Sequence, residues 1–131
     1  MHTKNMPINL DLSSLFQRYS AEFSDFDGLV LTDPNQKGYG DDALLHVAAR
    51  QGLVGDILIL VRAGASVDMP GDIGCTPLHF AAMAGQASAV RLLLDLGANP
   101  RLLNEFEQTA VEVAELGGHH EIARTITTSM R

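Results

Sequence analysis

The sequence predicts an all-α chain: a solenoid of three stacked helix-turn-helix units, covered at its N-terminal end by one further helix. Two observations carry this expectation. The stretches DALLHVAARQG (42–52), CTPLHFAAMAG (75–85) and QTAVEVAELGG (108–118) align with a step of 33 residues both times, and self-similarity at a fixed period of roughly 20–50 residues marks a stacked-repeat architecture. Within each unit, apolar and small residues recur at helical spacing, as Leu78, Ala81 and Ala82 do at i, i+3 and i+4. The chain has 131 residues, 46% of them hydrophobic and 19% charged, which suits one folded domain rather than a disordered chain.

From the N-terminus, residues 1–7 are expected to be mobile. Leu12, Leu15, Phe16, Tyr19 and Phe23 then form an amphipathic stripe, with Asp11 or Ser13 near the start of the helix. The stripe is expected to cover the open face of the first unit; a free, partner-binding helix is the alternative. Phe26, Leu29, Val30 and Leu31 are expected to pack with it, and Asp33 to Gly40 reads as a loop. This divides the chain into a capping helix and connector (1–33) and a repeat region (34–131), with units at about 42–74, 75–107 and 108–128.

In the second unit, Thr76 is suited to the N-cap and Pro77 to the first helical position. Gly85 ends that helix. A second helix, about 87–96, carries Val90, Leu93, Leu94 and Leu96 and stops at Gly97. The first unit repeats this with Ile57, Leu60, Val61 and Gly64, followed by the turn-rich SVDMPGDIG. In the third unit, Arg91-Leu92-Leu93-Leu94 becomes Arg124-Thr125-Ile126-Thr127. The two threonines suit a solvent-facing last helix, so no further unit is expected.

These residues resemble the ankyrin repeat. Thr76-Pro77-Leu78-His79-Phe80-Ala81-Ala82 matches its opening signature, and Gly64-Ala65 and Gly97-Ala98 match its closing one. The resemblance covers about residues 34–128. The first unit departs with Ala43-Leu44-Leu45-His46, and the third with Thr109-Ala110-Val111-Glu112. The likeness implies an ankyrin solenoid that binds a protein through its concave face, and a compact chain of this size resembles small stand-alone bacterial members of the family.

The charge bounds the partners. Nine basic against sixteen acidic residues give −7. That argues against sequence-independent nucleic-acid binding and against docking on an anionic membrane. No apolar run is long enough to span a bilayer. The N-terminus lacks a signal-peptide pattern, so a cytoplasmic protein is expected. Cys75, the single cysteine, cannot form an internal disulfide.

Three places invite chemistry. His46 and His79 lie one period apart, about 10 Å in packed helices, too far to share a metal bound at about 2 Å; by resemblance they are structural. His119 and His120 are adjacent, and neighbouring helical residues do not share a face. Cys75 has His79 four residues on, but no third group to orient a base. No cofactor or metal is therefore expected, nor enzymatic activity. The alternatives are a thiol- or metal-dependent enzyme or stress protein using Cys75, His79 or His119, and a self-associating scaffold.

What remains is a surface. The resemblance places Tyr39, Asp42, Asp72, Ile73, Cys75, Glu105, Phe106 and Gln108 at turn tips. Arg50, Gln51, Met83, Ala84 and Leu116 fall at inner-helix ends, and Pro70 and Leu103 in the preceding loops. Tyr39, Ile73, Met83, Leu103 and Phe106 are apolar where turns are usually polar, and acids flank them. This suggests a partner that is basic around an apolar centre, bound by a monomer. The expected role is a protein-interaction module, in its sharper form an inhibitor or immunity-type protein.

Overall fold

The computed structural model describes the backbone of residues 8–131 and the side chains from Leu12 onward. The expectation for residues 1–7 falls outside that range. Among the described residues there are seven α-helices and no strand beyond an isolated antiparallel bridge between Lys37 and Ala43. The helices are α1 (Ile8–Glu22), α2 (Leu44–Gln51), α3 (Val54–Arg62), α4 (Pro77–Met83), α5 (Ala87–Asp95), α6 (Ala110–Leu116) and α7 (His120–Ser129). Each unit is a pair, α2–α3, α4–α5 and α6–α7. The inner helices α2, α4 and α6 stack as one layer, and the outer helices α3, α5 and α7 as another.

Small side chains make the inner layer possible. Ala48, Ala49, Ala81, Ala82 and Ala114 are all fully buried between neighbouring helices. Ile57, Leu60, Val90, Leu93, Ile122 and Ile126 fill the space between the layers. Gly52, Gly85 and Gly118 end the inner helices with φ of 73°, 76° and 79°, a left-handed conformation that only glycine adopts without strain. Gly85 also admits a neighbour: a Cβ there would lie 2.6 Å from Cε1 of His119. His119 is thus a packing residue against the preceding unit.

The inner helices start on a shared device that weakens toward the first unit. Thr109 accepts from Glu112 N–H at 3.3 Å while Glu112 Oε1 accepts from Thr109 N–H at 2.9 Å. Thr76 and His79 make the same reciprocal pair, with Nδ1 accepting from Thr76 N–H at 3.0 Å. At α2 the cap residue is Ala43, which has no oxygen, so only the histidine half survives, Nδ1 accepting from Ala43 N–H at 2.9 Å. Because Nδ1 accepts, Nε2 carries the hydrogen in both rings. His46 donates it to Met69 O at 2.6 Å and His79 to Gln108 O at 2.9 Å. Each histidine thereby ties its helix to the following turn. Burial lowers both histidine pKa values, so the rings stay neutral.

Helix α1 packs on α3, in the manner that α3 packs on α5 and α5 on α7. The chain is already helical at Ile8, ahead of Asp11 and Ser13, the polar residues expected near the start. Leu15, Tyr19 and Phe26 are buried in the shared core. Asp56 of α3 holds α1 in place: it accepts from Arg18 at 2.8 Å through both oxygens and from the Tyr19 hydroxyl at 2.9 Å. Burial raises the Tyr19 pKa, and the hydrogen bond to Asp56 raises that of Arg18. Val30, expected to pack, is instead 81% exposed. It lies in an extended stretch whose flanking Leu29 and Leu31 turn toward the core, as alternation in extended chain requires.

Candidate protein-binding face

The turns that precede the inner helices are rigid and bonded to one another. In the first, Gly38 N–H donates to Asp42 O at 2.9 Å. Tyr39 is pinned to the capping segment, its N–H on Asp25 O at 2.8 Å and its hydroxyl on Asp27 O at 3.0 Å. In the second, Cys75 N–H closes on Asp72 O at 3.0 Å, and both central residues are left-handed: Ile73 (φ 48°) and Gly74 (φ 71°). Two positive φ values suit a hairpin turn of type I′, but a β-branched residue there is strained. In the third, Asn104 Oδ1 accepts from Phe106 N–H at 2.9 Å and Gln108 N–H at 3.0 Å. Glu105 N–H donates to Ile73 O at 2.9 Å, joining the second tip to the third.

The side chains named from the sequence divide sharply. Tyr39 (69%), Ile73 (36%), Met83 (41%), Leu103 (55%), Phe106 (65%) and Leu116 (75%) are exposed. Gln51, Pro70, Asp72, Ala84 and Glu105 are exposed as well, and Arg50 and Gln108 are half-buried. Asp42 and Cys75 are not at the surface. Asp42 is buried, its Oδ1 taking Asp72 N–H at 2.9 Å and its Oδ2 facing Arg50 at 3.4 Å. Cys75 is fully buried, its sulfur accepting from Asn104 Nδ2 at 3.6 Å. Both occupy the residue just before the helix cap, which points along the stack into the next turn, so neither is open to a partner.

The same geometry bears on the chemical candidates. Burial pushes the Cys75 thiol pKa up, which disfavours the thiolate. The Nδ1 of His79 is occupied by the Thr76 N–H and hydroxyl group, the latter at 2.9 Å. His120 pairs with Glu115 on the surface. Among the described residues no group of three or more His, Cys, Asp or Glu is arranged to hold a metal ion, and no helix is long and apolar enough to cross a membrane.

Asn104 was missed from the sequence. An Asn opening a turn is a common Asx-turn signal, and here it organises the whole third tip. Arg50 also does more than its position suggested. It lies 3.4 Å from Asp42 and 3.9 Å from Asp25, with its guanidinium 5.7 Å from the centre of the Phe80 ring.

Stacked helix pairs with hydrogen-bonded projecting turns define a repeat-type scaffold. Residues 45–129 match the family model for ankyrin repeats in three copies, and the chain belongs to the ankyrin-repeat family. It is 36% identical over 89 residues to a probable E3 ubiquitin-protein ligase of Oryza sativa subsp. japonica, covering 66% of this chain and 17% of that protein. A putative E3 ubiquitin-protein ligase of Arabidopsis thaliana is 44% identical over 69 residues, 51% of this chain and 15% of its own length. An ARF GTPase-activating protein of Mus musculus is 37% identical over 83 residues, covering 63% and 12%. The chain thus spans less than a fifth of each of these relatives. They are plant and animal proteins, and the expected kinship with small bacterial members finds no support among them. Ankyrin repeats are in general protein-interaction modules, typically without catalytic activity.

Proposed function

We propose that the chain binds a protein partner through its turn tips and inner-helix ends and, in doing so, inhibits that partner in the manner of an immunity protein. One observation carries the reading: large apolar side chains stand exposed on rigid turns and helix ends of successive units, where a free surface alone has no use for them. The candidate positions, from which the site is drawn, are Tyr39, Arg50, Gln51, Asp72, Ile73, Met83, Leu103, Glu105, Phe106, Gln108 and Leu116, without the buried Asp42 and Cys75. The acidic residues among them favour a partner that is basic around an apolar centre. The unbound chain is monomeric and acts in the cytoplasm. The repeat region begins near residue 34, with α1 and its connector as the cap.

The test is the double variant Ile73→Asp plus Phe106→Asp. Circular dichroism and the melting temperature should stay close to wild type while capture of the partner is lost. The partner's own activity, assayed with and without the chain, separates inhibition from plain binding. A double variant that unfolds would place those side chains in the core and remove the basis of the proposal.

A further inference from the structure

The 33-residue period lets the exposed positions be compared unit by unit, and the comparison is asymmetric. Three registers line the turns and inner-helix ends: Lys37, Pro70 and Leu103; Gly40, Ile73 and Phe106; Arg50, Met83 and Leu116. In the second and third units every one of these is apolar, and all six side chains are exposed. In the first unit the same registers hold two cations and a glycine. Both cations are held in place. Lys37 lies 3.1 Å from Asp41 and 3.2 Å from Pro70 O, and Arg50 is tied to Asp42 and Asp25.

The charge follows the same border. Segments 70–84 and 103–117 contain five acidic residues, Asp72, Glu105, Glu107, Glu112 and Glu115, and no Lys or Arg. Asp72, Glu105 and Glu107 sit on the tips beside Ile73 and Phe106. Glu105 is the most constrained, its backbone bonded to Ile73 O and its Cγ 3.1 Å from where a Cβ on Gly74 would stand.

We infer that the docking site is confined to the second and third units, on the platform of Pro70, Ile73, Met83, Leu103, Phe106 and Leu116. Its occupant is a segment of another protein that presents an aliphatic or aromatic side chain flanked by Lys or Arg. The apolar side chain covers the platform, and its basic neighbours meet Asp72, Glu105 and Glu107 at the tips. Lys37 and Arg50 mark the border: they pair with Asp41, Asp42 and Asp25 and so occupy the acids beside the first unit, whereas Asp72, Glu105 and Glu107 form no ion pair among the described residues. This rests on the protein-binding reading above and narrows it: Tyr39, exposed but in the first unit, lies outside the site.

The experiment is selection of a displayed random-peptide library on the intact chain, followed by binding of the enriched peptides to four variants. Phe106→Asp and Leu116→Glu change exposed platform residues; Tyr39→Asp and Val54→Asp change exposed residues outside it, the latter at the start of α3. The expected result is enrichment of peptides with Lys or Arg beside Leu, Phe or Trp. Affinity should fall about tenfold or more in each of the first two variants and stay within about twofold in the other two. Enriched peptides that are acidic or uncharged would overturn the assigned occupant. Loss of binding with Tyr39→Asp equal to that with Phe106→Asp would overturn the confinement while leaving the wider face as a protein-binding surface. A library that yields no binder would count against both.

Discussion

Asp56 joins α1 to the repeats, and its removal has a magnitude that the structure sets. In Asp56→Ala the Tyr19 hydroxyl loses its acceptor beside a ring that is fully buried. Leaving such a group unpaired costs about 1–3 kcal/mol. The two 2.8 Å bonds to Arg18 go as well. That pair is partly exposed, 38% on the arginine side and 12% on the aspartate side, so it contributes no more than about 1 kcal/mol. Together the loss is about 1–4 kcal/mol, or roughly 5–15 °C in melting temperature for a chain of this size. Asp56→Asn keeps an acceptor for Tyr19 and should lose about 1 kcal/mol. Thermal unfolding followed by circular dichroism reads both, and urea titration checks that unfolding stays cooperative. If Asp56→Ala unfolds within about 0.5 kcal/mol of wild type, a value ordinary for a neutral surface change, α1 is not docked on α3 and the capping reasoning fails.

Three further outcomes follow from other parts of the molecule. Gly85→Ala and Gly118→Ala meet similar φ values, 76° and 79°, but only Gly85 has His119 against it. Gly118→Ala should cost about 1 kcal/mol from backbone strain alone. Gly85→Ala should cost distinctly more, and His119→Ala should recover part of the difference; equal losses would contradict the packing role of His119. His46 and His79 have pKa values lowered by burial, so the unfolded chain takes up these protons more readily than the folded one. Their contribution is complete above about pH 6.5 and is lost as pH falls from there toward the lowered folded values. Melting temperatures measured from pH 7.5 to pH 5 should decline, and imidazole NMR shifts should show both rings still neutral at pH 6.5; rings that titrate at the ordinary value of about 6.5 would contradict their burial as neutral groups. Cys75 should react slowly with a thiol reagent in the native state and quickly in denaturant, since it is buried and its pKa is raised; fast native labelling would contradict its burial.

The solenoid was legible because stacking leaves regular marks. Alanines must recur where inner helices touch, glycine where the chain turns left-handed, and a Thr-Pro pair or its remnant where a helix begins. The exposed apolar positions Ile73, Met83, Leu103 and Phe106 were legible for the related reason that turns rarely carry such residues. The failures lie where period alone does not say which way a side chain points. Asp42 and Cys75 share one register, just before the helix cap, and both turn along the stack, onto Asp72 N–H and Asn104 respectively. The resemblance places Asp42 at an open turn tip, whereas its partner is a backbone group thirty residues away. Val30 failed in the opposite direction, an apolar residue left outside by the alternation of an extended segment.

The central claim, that a partner sits on the tips and inner-helix ends of the second and third units, is tested most directly by site-specific photocrosslinking in the native host. A photoreactive phenylalanine analogue replaces Phe106, Leu116 or, on the outer helices, Val54. Positions 106 and 116 should each give one discrete protein adduct and position 54 none. The same adduct from position 54, or its absence at both 106 and 116, would contradict it.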